Sequence, residues 1–320
     1  MARVLEFESF RAGAPLFLRD RRDGPLGPGL VRVRQSAIGV NFVDIYQRNG
    51  LYPLGPVPGV EAAGIVEAVA PDVEGFAPGT RVAYAGPPAG SYAELRDLPA
   101  GRLVAVPDGV DERQLAGSFL RGLTAGLLLD RVLPDVGGKP VLVHAAAGGL
   151  GLILVQWLKR RGATVIGTVG SPAKAELARA RGLDHAILYR DDDFRERVRE
   201  ITGGAGVVAA IDGIGGETLL RSLEALAPFG TAASLGQVSG GLPAIDPALL
   251  VNRFLVRPSI LAFLADETRF RPAAEAWFAA LRDGICIEGG HSYPFMEAAR
   301  ALDDMEAGRT SGPVRLLVEG

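Results

Sequence analysis

The chain has 320 residues, 48% of them hydrophobic and 22% charged, with a formal net charge of -3. That length suits two domains with sizeable cores, and so balanced a charge gives no electrostatic reason to expect nucleic acid or an anionic membrane as the main partner. Cys286 is the only cysteine, which excludes an internal disulfide and a thiolate zinc cluster. No basic leader with an apolar core is visible at Met1–Phe10, and no apolar run approaches the roughly 20 residues of a membrane span, so the expected location is the cytoplasm.

The first 120 or so residues carry short β-type runs broken by glycine and proline. Leu30–Arg34, Ala63–Val69 and Thr80–Tyr84 alternate or nearly alternate and are bounded by turn residues such as Gly27-Pro28-Gly29 and Pro78-Gly79. They predict a β-rich domain with irregular loops. The texture changes near Phe119. Val141–Val143 reads as a short apolar strand, and Leu150, Ile153, Leu154, Trp157 and Leu158 recur at helical spacing. Lys159-Arg160-Arg161 suit a helix C-terminus and Gly162 a stop. Ala163–Val169 is the next strand, and Ser171-Pro172 offers a cap with proline in the first turn. Ala186–Tyr189, Val207–Ile211 and Thr231–Leu235 are further strands with helices between them. This repetition predicts a doubly wound parallel sheet. Past Pro258, Ala273–Leu281 and Met296–Met305 read as helices and Val314–Val318 as a final strand that folds back onto the first domain.

The sharpest motif is His144-Ala145-Ala146-Ala147-Gly148-Gly149-Leu150-Gly151. It lies between a strand and a helix, the context that a dinucleotide fingerprint requires. Small residues at 145, 148 and 151 allow a tight turn and close approach to a pyrophosphate, and the helix N-terminus offers N–H groups and partial positive charge. An NAD enzyme usually carries an acid about 20 residues on, for the ribose 2′-hydroxyl. Here the segment is Thr168-Val169-Gly170-Ser171-Pro172-Ala173-Lys174, with no acid at the strand end. Ser171 and Lys174 suit a 2′-phosphate, with Tyr189 covering it, which predicts NADPH. The competing reading makes Ser171 a helix cap and Lys174 a solvated side chain.

At this point the chain resembles the quinone oxidoreductases of the medium-chain dehydrogenase/reductase superfamily, the group that includes zeta-crystallin. The residues that carry the resemblance are Ala37–Asp44 with Tyr46 and Gly50-Leu51-Tyr52-Pro53, Gly59–Gly64, Ser118–Ala125, His144–Gly151, Gly167–Gly170, Ile201–Gly204 and Arg257-Pro258-Ser259. The resemblance implies an α/β chain. Residues 1–120 and 257–320 would form a β-rich, chaperonin-10-like (GroES-like) catalytic domain. Residues 121–256 would form a doubly wound parallel (Rossmann) NADPH-binding domain, with the active site in the cleft. It also implies a homodimer or homotetramer. Carried over by position, Asn41, Tyr46 and Thr124 belong around the nicotinamide, and Gly148, Gly149 and Leu150 at the pyrophosphate. Gly170, Ser171, Lys174 and Tyr189 belong at the adenosine ribose phosphate, and Leu235, Gly236, Pro258 and Ser259 on the nicotinamide side, with Tyr52 facing the substrate. The chain departs from the family at Leu127, often Tyr there, at Gly213, often Ser, at Leu235-Gly236-Gln237, often Phe-Gly-Asn, and at Pro313, often Lys.

The zinc alcohol dehydrogenases of that superfamily need cysteine and histidine ligands where this chain has Asn41 and Gly59-Val60-Glu61. His144, His185 and His291 form no ligand spacing. Without a metal an alcohol is hard to deprotonate, whereas a quinone is already electron-poor and needs positioning and hydrogen bonds to its developing phenolate oxygen. Tyr46, Tyr52 and Asn41 offer donors. The competing reading has the tyrosines pack the loop and Asn41 cap a turn. Asp44 and Glu61 read as structural, holding the loop or the interdomain contact. The expected function is metal-free, NADPH-dependent reduction of quinones. The alternatives are reduction of an activated C=C bond in an alkenal or enone, with Tyr52 as proton donor, and a non-catalytic NADPH- or RNA-binding role.

Overall fold

The computed structural model describes residues 1–133 and 135–319. They form two compact units: Met1–Leu123 with Leu261–Ala279 and Ile287–Gly320, and Thr124–Ile260 with Ala280–Cys286. In the first unit β1 (Ala2–Phe7) and β2 (Leu16–Arg21) make an antiparallel hairpin. Neither strand was expected, because β2 is half-buried at best and its Arg19-Asp20-Arg21 end shows no alternation. β3 (Leu30–Gly39) is twice the expected length. Gln35 interrupts its apolar alternation yet is buried, where its amide donates to the Ser91 carbonyl at 2.8 Å and accepts from the Tyr84 hydroxyl. There follow α1 (Phe42–Arg48), β4 (Glu61–Val69), β5 (Arg81–Ala85), β6 (Leu95–Pro99), β7 (Val104–Ala105), α2 (Glu112–Leu115) and α3 (Phe119–Leu127).

The second unit alternates strand and helix: β8 (Pro140–Val143), α4 (Gly149–Arg160), β9 (Thr164–Val169), α5 (Pro172–Arg179), β10 (His185–Leu188), α6 (Phe194–Ile201), β11 (Val207–Asp212), α7 (Gly216–Glu224), β12 (Leu226–Ser234) and β13 (Arg253–Val256). The strands pair in parallel in the order β10-β9-β8-β11-β12-β13. Strand succession reverses between β8 and β11, which makes their C-terminal ends the crevice where such sheets bind ligands. Leu142, Ile166, Ile187, Ala210 and Ala232 from the sheet pack with Phe194, Val198 and Leu223 from the helices.

The tail supplies α8 (Ile260–Ala265), α9 (Glu267–Arg282), β14 (His291–Pro294), α10 (Ala298–Glu306) and β15 (Val314–Leu317). α9 starts well before the expected Ala273 and carries Pro272 inside it, a residue that ordinarily interrupts a helix. The buried Phe270, Ala274 and Trp277 hold that first stretch, and the Phe119 ring lies 6.2 Å from Phe270 and 5.7 Å from Phe278. β15 pairs antiparallel with β3, Arg315 opposite Gly39 and Leu317 opposite Ala37. The returning tail thus joins the sheet β14-β15-β3-β4-β5-β7, with β6 also on β3. Among the described residues no helix is long and apolar enough to cross a membrane.

Candidate functional site

The first unit sets Asn41 just before α1, Tyr46 on it and Tyr52 in the loop that follows. Asn41 precedes α1 in extended backbone, and its N–H donates to the Asp44 carboxylate at 2.9 Å, as the N3 acid of a helix start does. The Asn41 side chain is used elsewhere. Its Nδ2 donates to Glu61 Oε1 at 2.7 Å, while Glu61 Oε2 accepts the Leu120 N–H at 2.8 Å. Both side chains are buried. A carboxylate receiving donors on both oxygens fixes which end of the Asn41 amide faces it: the nitrogen faces Glu61, and one N–H remains for another partner. Asn41 therefore does not bring both of its N–H donors to a ligand, which narrows the expectation from sequence. Gly39 makes room, since a Cβ there would run into the Glu61 carboxylate.

Burial raises the Glu61 carboxyl above its ordinary range, and the Arg121 guanidinium and the Asn41 amide oppose that shift. Arg121 is itself held by the Val40 carbonyl at 2.7 Å and by the Gly117 carbonyl. Burial also pushes Asp44 up to about 7. The Tyr92 hydroxyl donates to Asp44 Oδ2 at 3.2 Å, and Oδ1 has no hydrogen-bond partner. On α1 the buried Tyr46 meets the half-buried Tyr52 edge to face, centroids 5.4 Å apart, and the Leu51 and Tyr52 N–H groups both reach the Tyr46 carbonyl. The two rings do pack this loop. Arg48, at the end of α1, binds Asp303 at 2.7 Å and Glu306 at 2.5 Å on α10.

In the second unit the fingerprint turns sharply. Ala145 has φ +50, and its carbonyl accepts the Gly148 N–H at 2.8 Å. Gly148 is the cap of α4, and a Cβ at Gly151 would strike the Ala145 carbonyl and the Ala146 backbone. Gly149 and Leu150 open α4, where the first N–H groups lack intrahelical acceptors. Ser171 caps α5, its Oγ accepting the Lys174 N–H at 3.3 Å. As an acceptor it keeps its own proton for a second partner. Tyr189 lies over Gly170, where a Cβ would come within 2.9 Å of its hydroxyl. Gly170, Ser171, Lys174 and Tyr189 are thus brought together at the ends of β9 and β10. Leu235 and Gly236 follow β12, the Leu235 N–H bonding the Asp212 carbonyl at 2.7 Å. Pro258 and Ser259 follow β13, and Thr124 sits on α3. All but Thr124 lie just past strand C-termini. His144 is buried, with Nδ1 3.0 Å from Thr168 Oγ1 and Nε2 2.8 Å from Ser222 Oγ.

Sequence reasoning missed three partnerships: Glu61 on the Asn41 amide, Tyr92 on Asp44, and Thr168 with Ser222 on His144. They join positions 20 to 78 residues apart, and no local spacing signals them. Among the described residues no group of three His, Cys, Asp or Glu side chains is placed to hold a metal ion.

Two units, one a parallel sheet with a dinucleotide fingerprint and the other a mostly antiparallel sheet joined by the tail, define the architecture of the medium-chain dehydrogenases and reductases. Residues 27–108 match the alcohol dehydrogenase GroES-like domain and residues 149–278 the zinc-binding dehydrogenase domain. A quinone oxidoreductase of Pseudomonas aeruginosa is 39% identical over 99% of this chain and 100% of its own length. A 2-haloacrylate reductase of a Burkholderia species is 42% identical over 92% of each. The crystal structure of Escherichia coli quinone oxidoreductase complexed with NADPH superposes with a TM-score of 0.93 at 34% identity, covering 99% of this chain and 100% of that one. The chain belongs to the quinone oxidoreductase family of the medium-chain dehydrogenase/reductase superfamily.

Proposed function

We propose that the chain reduces quinones with NADPH, without a metal ion. The observation that carries this is the end of β9, where Gly170, Ser171 and Lys174 stand in place of an acid and Tyr189 lies over Gly170. A 2′-phosphate meets there a hydroxyl, an ammonium and a glycine backbone, and no carboxylate on the strand end to repel it. The Gly-rich turn and the N-terminus of α4 fit a pyrophosphate, because open N–H groups and the helix dipole favour an anion. Gly148, Gly149 and Leu150 would hold that group. Thr124, Leu235, Gly236, Pro258 and Ser259 would line the nicotinamide side.

When bound, NADPH supplies the hydride. The protein's own part is orientation and charge. Tyr46 and Tyr52 offer hydroxyl donors to the oxygen that gains charge as a quinone is reduced. Asn41, oriented by Glu61, offers one N–H. Zinc is not part of the proposal: Asn41 and Val60 are not zinc ligands, and Cys286 belongs to the other unit. A second reading, reduction of an activated C=C bond, is favoured by the 42% identity to a 2-haloacrylate reductase. There Tyr52 would donate the proton to the carbon next to the one that takes hydride. Association of copies is part of the same proposal. β13 is an edge strand of its sheet, and Phe254 on it, with Val251 and Phe229 nearby, is exposed. The enzyme would act in the cytoplasm.

Parallel panels of quinones and α,β-unsaturated carbonyls, with NADPH oxidation followed by absorbance, test the acceptor. Fast turnover with quinones and little with enones is expected. Turnover with enones alone would replace quinone reduction by the second reading.

A further inference from the structure

His144 stands immediately before the fingerprint turn and is the one buried histidine of the three. Its two nitrogens face two hydroxyls, and the other bonds of those hydroxyls set the direction of every proton. Ser222 sits one helical turn after Thr218, and its hydroxyl donates to the Thr218 carbonyl at 2.7 Å. Its oxygen is therefore the acceptor toward His144, and Nε2 carries the hydrogen. Nδ1 is then bare and takes the proton of the Thr168 hydroxyl. That leaves Thr168 Oγ1 as acceptor for the Ala145 N–H, 3.4 Å away. The opposite tautomer points Nδ1–H at Thr168 and removes the one described acceptor for the threonine proton.

Thr168 holds two successive N–H groups of the turn, Ala145 through its hydroxyl and Ala146 through its carbonyl at 3.0 Å. Ala145 is left-handed, a conformation that a residue with a Cβ adopts only when its surroundings enforce it. That conformation places its carbonyl under Gly148 and so sets the start of α4. The imidazole is enclosed by Phe194, edge-on at 4.9 Å. Arg221 lies over the Phe194 ring and pairs with Asp193, which also binds Arg195, and Arg195 in turn binds Glu224. Burial, with the Arg221 charge, lowers His144 to about 3, so it stays neutral at physiological pH.

We infer that His144 is a positioning residue for the dinucleotide: as the neutral Nε2–H tautomer it aims the Thr168 oxygen at the Ala145 N–H and so holds the turn on which α4 meets the pyrophosphate. This rests on the NADPH reading above. It differs from a purely structural role, in which His144 would add stability and leave affinity alone.

Two measurements test it. Long-range 15N–1H correlation spectra of the protein without cofactor, with His144 assigned by its loss in His144→Gln, report the tautomer. NADPH binding by fluorescence titration is compared for wild type, Thr168→Val and Thr168→Ser. Expected are a neutral Nε2–H imidazole from pH 6 to 8, roughly tenfold weaker binding for Thr168→Val, as loss of one hydrogen bond predicts, and restored affinity for Thr168→Ser. With NADPH varied, Thr168→Val should show a raised KM for NADPH, with kcat at saturating NADPH little changed. An Nδ1–H tautomer, a charged ring, or wild-type affinity in Thr168→Val would overturn the inference. If Thr168→Val does not fold, the tautomer and Thr168→Ser still decide. Wild-type protein that fails to bind NADPH would overturn the cofactor reading itself.

Discussion

The side chains of Asn41 and Glu61 are joined, Nδ2 to Oε1 at 2.7 Å, in the buried interior of the first unit. Glu61 spends its other oxygen on the Leu120 N–H. Glu61→Gln replaces one acceptor by a donor, so either Asn41 or Leu120 then faces a donor. An unsatisfied buried group costs about 1–3 kcal/mol. Urea unfolding should show a loss of that size, and turnover should fall with it as the Asn41 amide loses its fixed direction. Wild-type stability and turnover together would mean that Glu61 does not orient Asn41.

Lys174 is the cation nearest in sequence to the strand end that lacks an acid. Lys174→Ala should weaken NADPH by on the order of 10- to 100-fold, the worth of a hydrogen bond to a charged group, and should change NADH little. Equal losses for the two cofactors, measured by titration, would remove Lys174 from the 2′-phosphate.

Asp44 gives a pH dependence of definite sign. Burial raises its folded-state pKa to about 7 from 3.8, so between those values the folded protein binds more protons than the unfolded one. Stability from this group is thus lost as pH rises through that window. The melting temperature of wild type should fall relative to Asp44→Asn between pH 5 and pH 8. A gap between the two proteins that stays constant with pH would contradict the assignment.

Gly151 has no room for a side chain, because a Cβ would strike the Ala145 carbonyl. Gly151→Ala should cost about 1–3 kcal/mol, as overpacking does, and should weaken NADPH by displacing the turn. A variant with unaltered melting and affinity would show that the turn yields freely.

Phe254 on edge strand β13 is 57% exposed. If copies associate through this edge, Phe254→Asp should shift sedimentation toward the monomer. An unchanged sedimentation coefficient would move the contact elsewhere on the surface.

Much of the second unit was legible in the sequence. Strands such as Val141–Val143 are buried on both faces and read as apolar runs, and Ser171-Pro172 starts a helix in plain sight. The fingerprint stood out because its chemistry is local: small residues in one turn, between a strand and a helix. The first unit was harder. β1 and β2 are a marginal hairpin with a charged end, and Gln35 hides half of β3 by being polar inside the core. The candidate site residues can be named from the sequence, but their bonds cannot. That Asn41 would spend an N–H on Glu61, or that His144 would sit between Thr168 and Ser222, depends on sheet pairing and helix packing that no sequence window contains.

Steady-state rates with NADPH and with NADH, on one soluble para-quinone, test the central claim most directly. The account predicts that the purified protein reduces the quinone, with kcat/KM for NADPH at least about tenfold above that for NADH, the worth of one hydrogen bond to a charged group. Preference for NADH, or no quinone turnover with either cofactor, would contradict it.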